Sequence, residues 1–566
     1  MRNTSYLLII LLATILAASG CTKEPPQNAD NADADNAANT AVVYYGGYIL
    51  GGEDRGSVEA VVIEDGKFTY TGSYEDALRA AGEGCVQVDL QGKMMLPSFF
   101  EAHTHPNMAL LLDLYNLPYS GDAPTPEEYI EYIKEFLASH PDTQVLRGTG
   151  WDNAAFTDSP PSKELLDRVS TEIPIFIRSF DQHSAWMNSK AVEMGGAAQY
   201  GGSSGLLRDD DTLLVDAALP PISASEHKEM ILRFQSMAHS FGITGHMCAL
   251  VMPRDNHYIA YRELAEEGKL TMYSELAIYV SADNYRETIE WLAGEAEAYE
   301  ADRPNELLGF KIVKFFIDGS VLGQTAYLLD GYTENPGYRG EPLWPEDPNV
   351  LAEAFRLCEE NGLRIHIHAI GDAAVKLSLD ALEAAKTTNR HAITHLGLVE
   401  NSDFARFSDM GVIAVINPYW FCKSAVWEES ECKQLGRVRA ESMFPAKSFY
   451  DAGVAVASAS DYPVSIPNPL LGLEMAVTRT LIEPWRGGRT AEDCALNESE
   501  RISIEQALDS FTLSAAYAYG LEAATGSIEA GKSADFIILD SNIFSNTPSQ
   551  ANVLETWFRG EQVFGL

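Results

Sequence analysis

At 566 residues, with 46% hydrophobic residues, 43 Gly and 26 Pro, the chain is too long for one small core and too apolar to be disordered. Lys plus Arg total 40 against 82 Asp plus Glu, a formal net charge of −42 that repels phosphate backbones and anionic head groups and excludes nucleic acid as an expected partner. The acidic excess is spread along the chain, which reads as a well-solvated surface rather than an acidic recognition patch.

Residues 1–20 read as an export signal, with Arg2 near the start and an apolar run from Leu7 to Leu16 too short to span a bilayer. That run leads into Ala18-Ser19-Gly20-Cys21, which resembles a bacterial lipobox, where the cysteine becomes the first mature residue and is acylated. The expectation is therefore export to the bacterial periplasm or cell envelope, with membrane contact only through a lipid at Cys21; ordinary secretory cleavage is the alternative. Residues 21–40 are almost wholly small or polar and read as a disordered tether. Six further cysteines, Cys85, Cys248, Cys358, Cys422, Cys432 and Cys494, form no C-x-x-C pair, so thiol chemistry is not expected. A loop-closing disulfide between Cys422 and Cys432 is left open.

After the tether come short alternating apolar runs at 41–50, 58–63 and 68–71, the last two joined across Asp65-Gly66 as in a hairpin. The same texture returns at 534–539, 553–558 and 562–564. Neither end can close a core alone, so 41–93 together with 521–566 are expected to form one small composite β-sandwich.

The middle, 94–520, alternates β-branched runs with amphipathic stretches, the pattern of a parallel sheet with crossover helices. Eight candidate strands cover 94–102, 243–249, 272–279, 310–317, 363–369, 392–395, 412–417 and 454–460. Leu351, Ala354, Phe355 and Cys358 share one helical face, and Asn361-Gly362 supplies a stop. The fold class is thus α/β, a TIM-like (β/α)8 barrel whose site belongs at the carboxyl ends of its strands. The long gap between the first two strands makes about 107–241 an insertion, expected to be part lid and part substrate wall.

Polar residues gather at those strand ends. His103 and His105 are two apart after the first strand, so their rings share one side. His366 and His368 lie on the fifth strand and His395 ends the sixth. Asp461 projects from the eighth, which Pro463 stops. Lys314 sits in the apolar run Val313-Lys314-Phe315-Phe316-Ile317, where a bare ammonium is expensive. It is expected to be either neutral and chemically modified or paired with an acid such as Asp318 or Asp461.

These segments resemble the amidohydrolase superfamily, specifically amidohydrolase family 3, which includes N-substituted formamide deformylase-like enzymes. The resemblance rests on Met95-Leu96-Pro97 before His103-Thr104-His105-Pro106, Val313-Lys314-Phe315 with Asp318-Gly319-Ser320, and His368-Ala369-Ile370-Gly371-Asp372. It extends through Ser460-Asp461-Tyr462-Pro463, the segment from Gln182 to Ala191, and the segment from Gly526 to Asp535. Ser98 and Glu101 stand where the family usually has Gly and Asp. His366 stands where it usually has an apolar residue, one layer below His368, and is expected to be a hydrogen-bonded interior histidine.

The resemblance implies His103, His105 and Asp461 on one divalent metal, His368 and His395 on a second, and Lys314 as a carboxylated bridge between them. The donor set suits zinc best, with one metal or two. It further implies hydrolysis of an amide-type C–N bond in a small molecule by hydroxide generated at the metal, with Asp461 moving the proton. A hydrolase of another bond, ester or lactone, and a non-catalytic binding lipoprotein are the rival readings. Trp151, His183, His246 and Tyr338 are candidates for substrate contact, each with an equal reading as packing. The expected partner is the amide-like substrate, and a homodimer is left open.

Overall fold

The computed structural model describes residues 41–566 apart from 53–55, 108–124, 142, 152–154, 157–159, 180–183, 209–214, 217, 303–305 and 425–426. The signal, the tether with Cys21, and His183 lie outside the described residues.

Eight parallel strands form the central sheet: Phe99–Thr104, Ile243–Val251, Tyr273–Tyr279, Leu308–Phe316, Arg364–Ala369, Ala392–His395, Ile413–Ile416 and Val456–Ser458. They follow one another in chain order. The carboxyl ends of the first and last are joined by backbone bonds, His103 accepting from Asp461 N at 3.1 Å and Tyr462 from His105 N at 2.7 Å. The result is a TIM-like barrel in which helices connect the strands. One helix, Pro348–Glu360, starts on the side chain of Asp347, which accepts from Asn349 N, and buries Leu351, Ala354, Phe355 and Cys358. It ends at Asn361, before Gly362 at φ 66°.

The first barrel strand differs from its expected extent. Residues 94–102 are not one strand: Met94–Pro97 pairs with Phe536–Leu539 and with Val42–Gly51, and the barrel begins at Phe99. Every residue from Met94 to Thr104 is buried, Ser98 at the break included, so no exposed position marks the change of sheet. At the break, Ser98 N donates to Asp535 O at 3.2 Å and its hydroxyl meets Thr244 Oγ1 at 2.5 Å.

Both chain ends share one continuous eight-stranded sheet. Val42–Gly51 pairs along its first half with Val86–Asp89 and then, past an irregularity between Tyr45 and Ile49, with Met94–Pro97. One face buries Tyr44, Ile49, Phe68, Met95, Phe536 and Ile538 from both ends of the chain. On another cluster, Val43, Ala60 and Val62 pack with Ala77 of the helix Tyr74–Ala81.

Residues 106–234 are a compact unit of their own. It holds a four-stranded sheet, Leu146–Trp151, Ile175–Ser179, Ser184–Met187 and Leu206–Arg208. Its helix Pro126–Ser139 starts with a reciprocal capping box between Thr125 and Glu128. The six described cysteines are all free, so Cys422 and Cys432 are not bonded to each other. Among the described residues, no helix is long and apolar enough to cross a membrane.

Candidate metal centre

The barrel's strand ends bring His103, His105 and Asp461 to one point. His103 Nε2 lies 3.2 Å from His105 Nε2. Asp461 Oδ1 lies 3.4 Å from the first nitrogen and 3.2 Å from the second. The three residues are buried, and each offers a donor atom to the same small space. Asp461 reaches it from a backbone at φ 57°, a left-handed conformation uncommon outside glycine.

Lone-pair atoms packed this closely repel unless a proton or a metal ion lies between them. Ligands placed tetrahedrally around zinc at 2.0–2.1 Å are about 3.3–3.4 Å apart, close to the three separations found here. Asp461 Oδ1 and the buried Lys314 Nζ have no hydrogen-bond partner among the described residues. The donor set therefore fits a divalent metal.

His395 and His368 stand beside this triangle. The His395 ring centroid is 4.9 Å from that of His103 and 4.4 Å from that of His368. His395, at φ 77°, is fixed by Asn417, whose Oδ1 lies 2.9 Å from His395 Nδ1 and whose amide donates to Ala459 O. Trp420 stacks on the same imidazole at 5.3 Å. His368 turns its Nε2 toward Gly319 O at 3.2 Å, so this nitrogen is not gathered into the triangle. Burial, then the Lys314 charge, push His368 down to about 3 and hold His103 well below the ordinary imidazole range. Burial likewise holds His395 low. These rings are neutral near pH 7, as metal ligands must be.

Lys314 is fully buried, its Nζ 4.5 Å from the centre of the Phe316 ring. Burial lowers its amine to about 7 although Asp461 opposes the shift. The pairing with Asp318 is not found. That carboxylate accepts instead from Tyr327 N at 2.9 Å, Ile370 N at 3.0 Å and Gly371 N at 2.8 Å, tying together the loops after the fourth and fifth strands.

Sequence reasoning missed how Glu101 is used. Its Oε2 accepts from Ser460 N at 2.8 Å and Ser460 Oγ at 2.9 Å, gripping the turn that presents Asp461. It also missed Asn417, whose only signal was its place at the end of the seventh strand. His366 is interior as expected, with Nε2 2.7 Å from His103 Nδ1.

Among the substrate candidates, His246 is in a buried network, its Nδ1 3.2 Å from Thr104 Oγ1 and its Nε2 3.2 Å from Ser274 Oγ and 3.3 Å from Tyr261 OH. Tyr338 stacks on Tyr332 at 5.9 Å in the loop after the fourth strand. Trp151 is buried inside the 106–234 unit, donating to Ile177 O at 2.9 Å and packing edge-on to Trp186. His183 lies outside the described residues.

A family model described as the amidohydrolase family matches residues 87–564. YtcJ of Bacillus subtilis is 28% identical over 539 residues, covering 91% of this chain and 97% of that protein. The N-substituted formamide deformylase of Arthrobacter pascens is 24% identical over 515 residues, covering 85% of this chain and 90% of that protein. Among solved structures, an uncharacterized metal-dependent hydrolase from Pyrococcus furiosus is similar with a TM-score of 0.73 at 25% identity, covering 89% of this chain and 99% of that one.

Proposed function

The chain belongs to the amidohydrolase family, and from that premise we propose that this metal-dependent hydrolase cleaves an amide-type C–N bond in a small molecule. The observation that carries the reading is the triangle of His103 Nε2, His105 Nε2 and Asp461 Oδ1, which has the spacing of a tetrahedral metal's ligands. These three residues would hold one ion, with zinc the best match to imidazole and carboxylate donors. His368 and His395 would hold a second. Lys314 would lie between them as a carbamate, formed when its amine nitrogen adds to carbon dioxide and loses a proton. Its support is the unpartnered buried Nζ and the lowered amine pKa of about 7, which leaves neutral amine available near neutral pH.

When bound, the ion lowers the pKa of a water from 15.7 to about 7 and polarises the carbonyl under attack. Asp461 takes the water's proton on its carboxylate and returns it to the departing nitrogen, which leaves poorly as an anion. Glu101, through Ser460, keeps that carboxylate in place, and Asn417 keeps His395 from rotating. The deformylase relative places N-formyl amines first among substrates to try.

The test is a screen of N-formyl amines, N-acyl amino acids, cyclic amides and matched esters with metal-stripped and zinc-reloaded protein. Amide turnover lost on stripping and restored by zinc supports the reading. Turnover unchanged in metal-free protein, or confined to the esters, contradicts it.

A further inference from the structure

His366 is 1% exposed on the fifth barrel strand, two residues before His368 and opposite Lys314 in the register of the neighbouring strand. Period-two alternation sends Ile365 and Ile367 to one side of the sheet and His366 and His368 to the other. An apolar side chain would fill the interior at this depth without desolvating a polar ring. The imidazole there makes one hydrogen bond, between its Nε2 and His103 Nδ1 at 2.7 Å, and its own Nδ1 has no partner among the described residues.

The direction of that bond follows from the other end of His103. Its Nε2 faces His105 and Asp461, and to offer a lone pair there it must carry its proton on Nδ1. His103 Nδ1–H is then the donor and His366 Nε2 the acceptor. In the opposite arrangement His366 donates, the His103 proton moves to Nε2, and the nitrogen facing the triangle can no longer serve as a ligand. The same bond therefore selects both the tautomer and the orientation of His103. As the acceptor, His366 commits its Nε2 lone pair to His103 and carries its own proton on Nδ1, so neither ring nitrogen is left to serve as a ligand.

We propose that His366 is a positioning residue, accepting the Nδ1 proton of His103 and so holding the His103 Nε2 lone pair toward His105 and Asp461. The proposal rests on the metal-dependent reading above and adds to it a determinant of affinity. A neutral imidazole fills the role that a carboxylate or carbonyl more often fills behind a metal-bound histidine.

The experiment compares the whole protein with its His366→Leu and His366→Gln variants. Zinc dissociation constants are measured by chelator competition, the visible spectra of the Co(II) forms are recorded, and the metal-free forms are melted. The leucine variant is expected to melt no lower than wild type without metal, to bind zinc about 10- to 100-fold more weakly, and to show an altered Co(II) spectrum. Glutamine, whose carbonyl can accept the same proton, is expected to restore most of the affinity. Equal zinc affinity and an unchanged Co(II) spectrum in a folded leucine variant would overturn the proposal. So would a glutamine variant as weak as leucine. If leucine does not fold, ring-nitrogen NMR of the zinc-loaded wild type decides: His103 protonated on Nδ1 supports the proposal, and on Nε2 overturns it. Wild type that binds no zinc at all fails the parent reading first, which keeps the two outcomes apart.

Discussion

At the carboxyl end of the barrel, burial takes hydration from four of the clustered imidazoles, His103, His366, His368 and His395, and from the amine of Lys314. His103, His366 and His395 are held well below the ordinary value, and His368 falls to about 3. Between about pH 6.5 and 3 these four rings therefore bind more protons in the unfolded chain than in the folded one, so their contribution to stability is complete above that window and is lost with acid. Glu101, Asp318 and Glu431, raised by burial to about 8, 7 and 7, add the opposite slope below those values. Lys314, lowered from 10.5 to about 7, works in a separate window, adding stability as the pH rises from 7 toward 10.5. In urea titrations of metal-free protein, wild type should lose stability relative to a His368→Gln variant by on the order of a few kcal/mol as the pH falls from 6.5 toward 4. A difference between the two proteins that stays flat from pH 7 to 4 would contradict this account of the buried rings. Asp461→Asn should lower kcat by about 10²- to 10⁴-fold, the usual worth of a positioned acid–base group, in a protein whose fold by circular dichroism is unchanged. The ligand candidates were legible because each is a polar residue at the end of an apolar strand or, for Lys314, inside one. The partner of His103 was not, since the bond to His366 spans 263 positions and no local pattern encodes it.

At the scale of elements, the site depends on turns that tie one strand end to the next. Asp318 joins the loop at Tyr327 to the turn at Ile370 and Gly371 through three backbone donors. Gly371 passes so close to that loop that a Cβ there would lie 2.0 Å from Tyr327 O. Gly371→Ala should therefore separate the two loops and cost about 1–3 kcal/mol in a denaturation curve, although its backbone angles suit alanine. A neutral substitution would show that the loops yield freely. All eight barrel strands were visible as apolar runs bounded by turn residues. The division at Ser98 was hidden because the residues on both sides are equally apolar, and hydrogen-bond partners rather than composition decide which sheet a segment joins. The strands within 106–234 were obscured for the same reason: short runs such as Ser184–Met187 become strands through their neighbours.

For the whole molecule, a formal charge of −42 makes the compact state repel itself. Raising ionic strength from about 0.01 M to 0.15 M shortens the screening length from about 30 to 8 Å and should raise the melting temperature by a few degrees. No change would mean that neighbouring charges already balance locally. The far ends of the chain could be assigned to one composite β-sandwich because neither could close a core alone; their strands join one eight-stranded sheet, on which Phe68, Met95 and Phe536 meet in one cluster. Substrate choice is less legible, since specificity is carried by loops rather than by the pattern of the barrel strands. The central claim is that residues spread from His103 to Asp461 make a metal site. Metal analysis of purified wild type beside a His103→Asn, His105→Asn double variant tests it most directly. The account predicts roughly one to two transition-metal ions per wild-type chain and less than about a tenth as much in the folded variant. A metal-free wild type from metal-replete growth, or a variant that retains the full complement, would contradict it.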